Sequence, residues 1–521
     1  MWITRTTKTG AKNTAVQVVR REHQQTIIVK HIGTAHNSNE LQILQKRAET
    51  FILENSGINP LFPELFGKEK QQTIIEVEQI ISRLEVVKTN HTFTHTFLSF
   101  FYDYLGFASF KSNLLRDLVI MRIVEPCSKL RSLELLKEYF SINYGRTNMH
   151  KKLSEMVKQK ETLEKIAVLY AKNHLDFDFS IVFYDVTTLY FESFRQDRDE
   201  FRKPGFSKDN KANQPQIVIG LIVTKEGFPV SYDVFAGNTF EGKTFIPTIT
   251  KFKNTYEIKN LTVVADAAMI SYPNVQSLIA NNLSYIVGGR MASLKQKEIE
   301  EVNQKLSGKE ESLKKLKKKD GLSTRIETDR GTLICDFSFK RYLKDKREMD
   351  KQIVKAKKLL EENEGTKRVK FIKNKDDEKT EQVLNTNLIE KTKQLLGIKG
   401  YYTNLTDETD KTIIDHYHSL WKVEKAFRIA KSDLEARPVF HHKKENVEAH
   451  ILIVFLSLCI SKAIELLTKY SIKKVRHMIW SVLDVELTYT STGKTFIKRT
   501  NITENPMVKF LEKFSVVDKS K

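Results

Sequence analysis

Residues 181–185 read Ile181-Val182-Phe183-Tyr184-Asp185, an unbroken apolar run that ends on a carboxylate. Such a run has no polar face, so it fits a strand covered on both sides. The arrangement recurs 81 positions later (266 − 185), in Leu261-Thr262-Val263-Val264-Ala265-Asp266. A carboxylate closing a strand buried on both faces is expected to be desolvated, and so to need a partner, a cap or a metal. Either aspartate alone is equally compatible with capping the turn or helix that follows it.

What lies between the two runs gives the pair its meaning. Val186 to Phe191 follows, and a polar loop covers 192–215. Gln216 to Val223, the turn Lys225-Glu226-Gly227 and Phe228 to Phe235 follow as an antiparallel meander. Residues 243–256 form a helix, and Ser284 to Val287 a further short strand. A meander, a helix and then a strand is the ribonuclease-H-like order, in which the first and fourth strands lie side by side. That order would bring Asp185 and Asp266 together, and two like charges so placed favour a divalent cation between them.

The expected fold class is therefore α/β, a ribonuclease-H-like mixed sheet flanked by helices, with a helical N-terminal region and an inserted subdomain. Residues 1–60 read as a strand pair (Ala15–Val19 and Thr26–Val29) and a linker. Residues 61–177 form the helical region, on apolar spacings such as Leu114, Leu118 and Met121. The core then runs over 178–290 and 399–468. Between its halves stands 291–398, dense in Lys and Glu, with a lysine run at 314–319 that reads as a solvated face. A basic, weakly patterned tail covers 469–521. His450 to Ile464 is apolar, but it contains Ser457, Ser461 and Lys462 and reads as a buried helix too short to span a bilayer.

Composition narrows the class of partner. The 521-residue chain carries 86 Lys and Arg against 65 Asp and Glu, a surplus of 21. That surplus favours polyanions, because neutralising backbone phosphates releases condensed counterions. Three scattered cysteines, Cys127, Cys335 and Cys459, exclude a disulfide framework and a CxxC zinc site, and fit a reducing cytoplasm.

The third carboxylate is Glu424, in a stretch expected to be one amphipathic helix from 411 to 436. Tyr417, Glu424 and Lys431 recur at steps of seven, almost two helical turns, and so share a stripe. Arg428 sits one turn after Glu424. Val423, Phe427, Ala430 and Leu434 form the neighbouring stripe that packs on the sheet. By helical spacing, Trp421 and Phe427 both read as core. An ordinary surface ion pair between Glu424 and Arg428 is the competing explanation for that part of the helix.

With these residues in place the chain resembles bacterial insertion-sequence transposases of the DDE class, specifically the group whose catalytic domain carries an insertion before the final Glu. That group has a signature of Tyr, two residues, Arg, three residues, Glu, six residues, Lys. Tyr417, Glu424 and Lys431 match it, and Leu420 stands where the group has Arg. Asp185-Val186-Thr187-Thr188, Gly205 to Asp209, Pro215 to Leu221, Gly227-Phe228-Pro229, Gly237-Asn238-Thr239, Val263 to Ala267, Leu434 to Val439 and His450 extend the likeness.

The resemblance implies a catalytic triad of Asp185, Asp266 and Glu424 holding two Mg²⁺ ions, with Mn²⁺ able to substitute. It places Tyr417 and Lys431 against DNA phosphate. Helix geometry adds Arg428, and the helical region adds Lys111, Arg116, Arg122 and Lys129 as candidate backbone contacts. The implied reaction is cut-and-paste transposition of insertion-sequence ends, in some relatives through an end hairpin. The implied partners are double-stranded transposon ends and target DNA, bound by a homodimer in a synaptic complex of the bacterial nucleoid and not at a membrane. Two alternatives share the pattern: a metal-dependent nuclease without strand transfer, and an inactive DNA-binding relative.

Overall fold

The computed structural model describes residues 2–10, 13–22, 25–55, 82–192, 201–206, 213–269, 271–306, 322–361, 369–374, 382–441, 443–490 and 492–518. The lysine run at 314–319 and residues 207–209 lie outside the described residues. The chain divides into two compact units, one of residues 1–89 with 485–498 and one of residues 90–484 with 499–521.

In the first unit, β1 (Trp2–Lys8), β2 (Thr14–Glu22) and β3 (Gln25–Ala35) form an antiparallel sheet. The expected strand pair is β2 with β3, and β1 adds a third strand. The helix Ser38–Asn55 closes a small core at Val16, Val18 and Ala48. A second sheet joins β4 (Leu84–Asn90), β15 (Asp484–Tyr489) and β16 (Lys494–Arg499). The helical reading of 61–177 missed β4, and the tail is more ordered than expected. It holds β15, β16 and the helices Ile472–Trp480 and Pro506–Asp518.

The second unit is built on a sheet of β5 (Ile181–Tyr190), β6 (Gln216–Val223), β7 (Pro229–Ala236), β8 (Thr262–Ala265), β9 (Ser284–Gly289), β10 (Leu322–Thr328), β11 (Gly331–Phe337) and β14 (Ile398–Thr403). Two short strands, β12 (Ile372–Asn374) and β13 (Gln382–Leu384), pair apart from it. The strand order is β10-β11-β14-β9-β8-β5-β6-β7. Strands β5, β6 and β7 form the antiparallel meander, and β8 and β9 run parallel to β5. This is the ribonuclease-H-like sheet, extended past β9. The segment 291–398, expected as an insertion, supplies β10 and β11, which join the sheet through β14.

Alternation along β5 assigns the two faces of the sheet. Tyr184 points to one face, where its hydroxyl lies 2.7 Å from Thr244 Oγ1 on the helix Glu241–Thr255. Asp185, Thr187 and Leu189 point to the other. Thr187 and Leu189 meet Phe427, Ala430, Ile451 and Phe455 there, around a small and mostly apolar cavity.

The helix Lys444–Thr468 occupies the centre of this face, with Val447 and nearly every residue from Ala449 to Ile464 buried. Its 25 residues make it long and apolar enough to cross a bilayer, longer than the sequence suggested. Here 78% of its most apolar window is buried inside the protein. Ser457 satisfies its hydroxyl locally, donating to Ile453 O at 2.7 Å. The helices between Thr92 and His174 share this one core with the sheet.

The continuous helix expected at 411–436 is instead three pieces: a helix Asp410–His418, a helix Trp421–Arg428 and a π-helical turn Ile429–Asp433. At the first join the backbone bonds shorten to three-residue steps, Leu420 to Tyr417, Lys422 to Ser419 and Val423 to Leu420. Ser419 contributes by turning its hydroxyl back onto Asp415 O. Periodicity alone does not register such changes of pitch, because the apolar stripe survives them: Val423, Phe427, Ala430 and Leu434 are all buried.

Candidate active site

The register of β5 against β8 sets the site. Tyr184 pairs with Ala265 in parallel, so Asp185 and Asp266 take adjacent positions on neighbouring strands. Parallel strands stand about 4.8 Å apart, so two residues 81 positions apart in the chain close to one strand spacing. Two details differ from the sequence expectation. Asp185 lies in mid-strand, because β5 continues to Tyr190 along β6 after β8 has ended. Asp266 is exposed and Asp185 half-buried, so neither is strongly desolvated. A strand end at the C-terminal edge of a sheet opens to solvent even when the strand behind it is buried.

Each aspartate is oriented by a short local bond. Asp185 accepts from the Val186 N–H at 2.7 Å, and Asp266 from the Ala267 N–H at 2.7 Å. Asp266 also accepts from the Tyr417 hydroxyl at 3.2 Å. Tyr417 is buried, and its reach depends on Gly288 of β9. A β-carbon built at Gly288 would stand 2.4 Å from Tyr417 Oη, so the hydroxyl occupies the space a side chain would take. Burial, reinforced by Asp266 charge, pushes the Tyr417 phenol well up and keeps it a hydrogen-bond donor.

Glu424 is carried by the helix Trp421–Arg428, whose buried Val423, Ala426 and Phe427 lie on the Asp185 face of the sheet. Two contacts seat this helix. Lys425 pairs with Glu465 of the central helix at 2.9 Å. Lys422 donates to Lys225 O in the β6–β7 turn, where Gly227 adopts φ +80° and its α-carbon faces Lys422 closely. Glu424 and Arg428 are both exposed and form no ion pair with each other among the described residues, so the surface-pair explanation does not hold. Trp421 is 55% exposed, against its expected place in the core, because the helix restarts there.

Lys431 falls in the π turn and lines the small cavity beside Thr187 and Leu189, on the face that carries Asp185. Of the other candidate cations, Lys111 is exposed and Arg116 bonds Asp117 at 2.9 Å. Arg122 and Lys129 are overturned as DNA contacts, being 6% and 4% exposed. Arg122 holds Cys127 O at 2.8 Å, and Lys129 lies 3.1 Å from His450 Nδ1. Burial pushes the Lys129 amine well down. His450 Nε2 in turn bonds Ala436 O at 3.0 Å, tying the helical region to the loop after the Glu424 helix.

One residue of the site escaped the sequence entirely. Lys399, on β14, places Nζ 4.3 Å from the Tyr417 ring centroid. It lies within electrostatic reach of both Asp266 and Glu424. Its only sequence signal is a lone cation inside the strand Ile398–Thr403, hidden among 86 basic residues.

Carboxylate oxygens suit hard divalent cations, and Asp185 beside Asp266 supplies two of them. Glu424 does not close the set: among the described residues no three His, Cys, Asp or Glu side chains stand close enough to hold a metal ion.

Residues 176–460, more than half of the chain, match the transposase DDE domain family. No curated protein matches the sequence. Among solved structures, the cryo-EM structure of the piggyBac transposase synaptic complex with hairpin DNA is similar over 77% of this chain and 77% of that one. The identity is 12% and the TM-score 0.36. Enzymes of the DDE family cleave and move DNA, and generally use divalent metal ions. This chain belongs to that family and is a DDE transposase.

Proposed function

We propose that the chain moves an insertion sequence by cut-and-paste, with Asp185, Asp266 and Glu424 as its catalytic carboxylates and two Mg²⁺ ions, or Mn²⁺ in their place, as cofactor. The observation that carries this reading is the parallel register of Tyr184 with Ala265, which makes neighbours of two aspartates far apart in sequence. When bound, such ions activate a water or a DNA 3′-hydroxyl for in-line attack and stabilise the leaving oxygen.

The chain's own residues then have separable tasks. Asp185 and Asp266 hold the cofactor from adjacent strands, and Tyr417 orients Asp266 through its hydroxyl. Glu424 completes the set from a helix bounded by a tightened turn and a π turn. Irregular turns of this kind recur at functional sites and would let the short helix shift toward the aspartates. Arg428 and Lys431, on or beside that helix, meet the phosphate backbone of the transposon end. A homodimer would pair two ends and then engage target DNA, in the bacterial cytoplasm on the nucleoid.

The test is a strand-joining assay in Mg²⁺, with an oligonucleotide duplex from the DNA flanking the coding region and a supercoiled plasmid target. Wild type is expected to cleave the duplex and join its 3′-hydroxyl to the plasmid. Asp185→Asn, Asp266→Asn and Glu424→Gln are each expected to lose cleavage by at least about 1000-fold while binding the duplex normally. Cleavage without joining would leave a nuclease. Undiminished cleavage by any one variant would remove that residue from the site.

A further inference from the structure

Lys399 is half-buried on β14, between β9 and β11 in the sheet. Its Nζ lies 4.3 Å from the Tyr417 ring centroid and 5.6 Å from that of Tyr401. Tyr417 bonds Asp266, so ammonium, ring and carboxylate form one stack on the catalytic face. Lys399 makes no ion pair among the described residues, whereas the nearby Lys425 is paired with Glu465.

What surrounds Lys399 does not commit it to a structural role. Asp336 is its register partner on β11, and Arg341 approaches from the helix Phe339–Glu361. Burial and Arg341 push the amine down, while Asp266, Glu424 and Asp336 pull it up, so no single carboxylate owns its charge. An open trench begins beside it, whose lining carries Lys340, Arg341, Lys344, Arg347 and Lys351 against the carboxylates of Asp336, Asp345 and Glu348. The cations outnumber the carboxylates along this wall, so a polyanion lying there would end at Lys399.

We propose that Lys399 is a phosphate-binding residue of the active site, donating from β14 to a non-bridging oxygen at or next to the scissile DNA phosphate. The ammonium is a compact three-donor charge suited to that task. The proposal rests on the transposase site described above.

The experiment is Mg²⁺-dependent nicking of supercoiled plasmid with enzyme in excess, comparing wild type, Asp185→Asn, Lys399→Met and Lys399→Arg. Melting temperature and duplex affinity are measured on the same samples. Lys399→Met is expected to melt and bind as wild type but nick about 100-fold more slowly, the scale of losing one charge-stabilising donor. Lys399→Arg should recover at least about tenfold of that loss. If Lys399→Met melts early, Lys399→Gln is read in its place. Nicking by the neutral variant within twofold of wild type overturns the proposal. So does a neutral variant and an Arg variant equally slow and both melting early, which marks a structural lysine. If wild type does not nick, or Asp185→Asn nicks as wild type does, the site reading fails and takes the proposal with it. A silent Asp185→Asn beside an active Lys399→Met removes Lys399 alone.

Discussion

Tyr417 reaches Asp266 only because residue 288 has no side chain, so a methyl group added there tests the carboxylate's orientation without touching it. In Gly288→Ala the new carbon would meet Tyr417 Oη at 2.4 Å, far inside contact distance, and the ring tip must move. The hydrogen bond to Asp266 breaks as a result. Bonds to charged groups contribute about 1.5–3 kcal/mol. Cleavage should therefore fall roughly 10- to 100-fold, and Tyr417→Phe should fall by a similar factor with less loss of stability. Wild-type rates in both variants would show that Asp266 needs no partner. At this scale the neighbouring places of Asp185 and Asp266 were legible in the sequence, because each ends an apolar run in that strand order, whereas Glu424 enters only as a proposal through its spacing from Tyr417 and Lys431. Lys399 was not, since its meaning comes from β14 lying beside β9, and no local pattern encodes a neighbour more than 100 residues away.

Among the elements, the helical region is held by a buried charge. Asp117, on the helix Asn113–Val124, accepts from His95 at 3.0 Å, Arg116 at 2.9 Å and Tyr144 at 2.6 Å, joining three segments. Burial pushes its carboxyl up, but the three hydrogen bonds outweigh burial and hold it below the ordinary carboxylate value. A depressed carboxyl stabilises the fold above its unfolded value, near about 3.9, and loses that contribution as pH falls through the folded value. Asp117→Asn is thus expected to cost about 2–3 kcal/mol at neutral pH. The difference from wild type in denaturant melts should persist down to about pH 4 and close below it. A constant difference across pH 2–7 would assign the loss to geometry and not to charge. The same scale shows where periodicity misled. Apolar spacing located the Glu424 helix and its buried stripe, but a three-residue step at 419–423 and a π turn at 429–433 leave that stripe unchanged. Arg122 and Lys129 read as surface cations because sequence carries no record of the carbonyl and imidazole that receive them.

For the whole molecule, a surplus of 21 positive charges makes affinity for DNA a matter of counterion release. Six to ten phosphate contacts would weaken binding by about 10³- to 10⁵-fold between about 50 and 200 mM salt. Fluorescence anisotropy of a labelled duplex across that range should show such a slope, and a flat titration would exclude phosphate-dominated binding. The sequence by itself determined the strand and helix order of the core, its basic character and the adjacency of Asp185 and Asp266. Those follow from local apolar runs, side-chain period and composition, which the chain carries at every position. Only the tertiary structure decided that Asp185 lies in mid-strand, that β10 and β11 extend the sheet through β14, and that Lys399 shares a face with Asp266. These are matters of strand neighbourhood and register, set by how the whole chain buries its apolar surface at once.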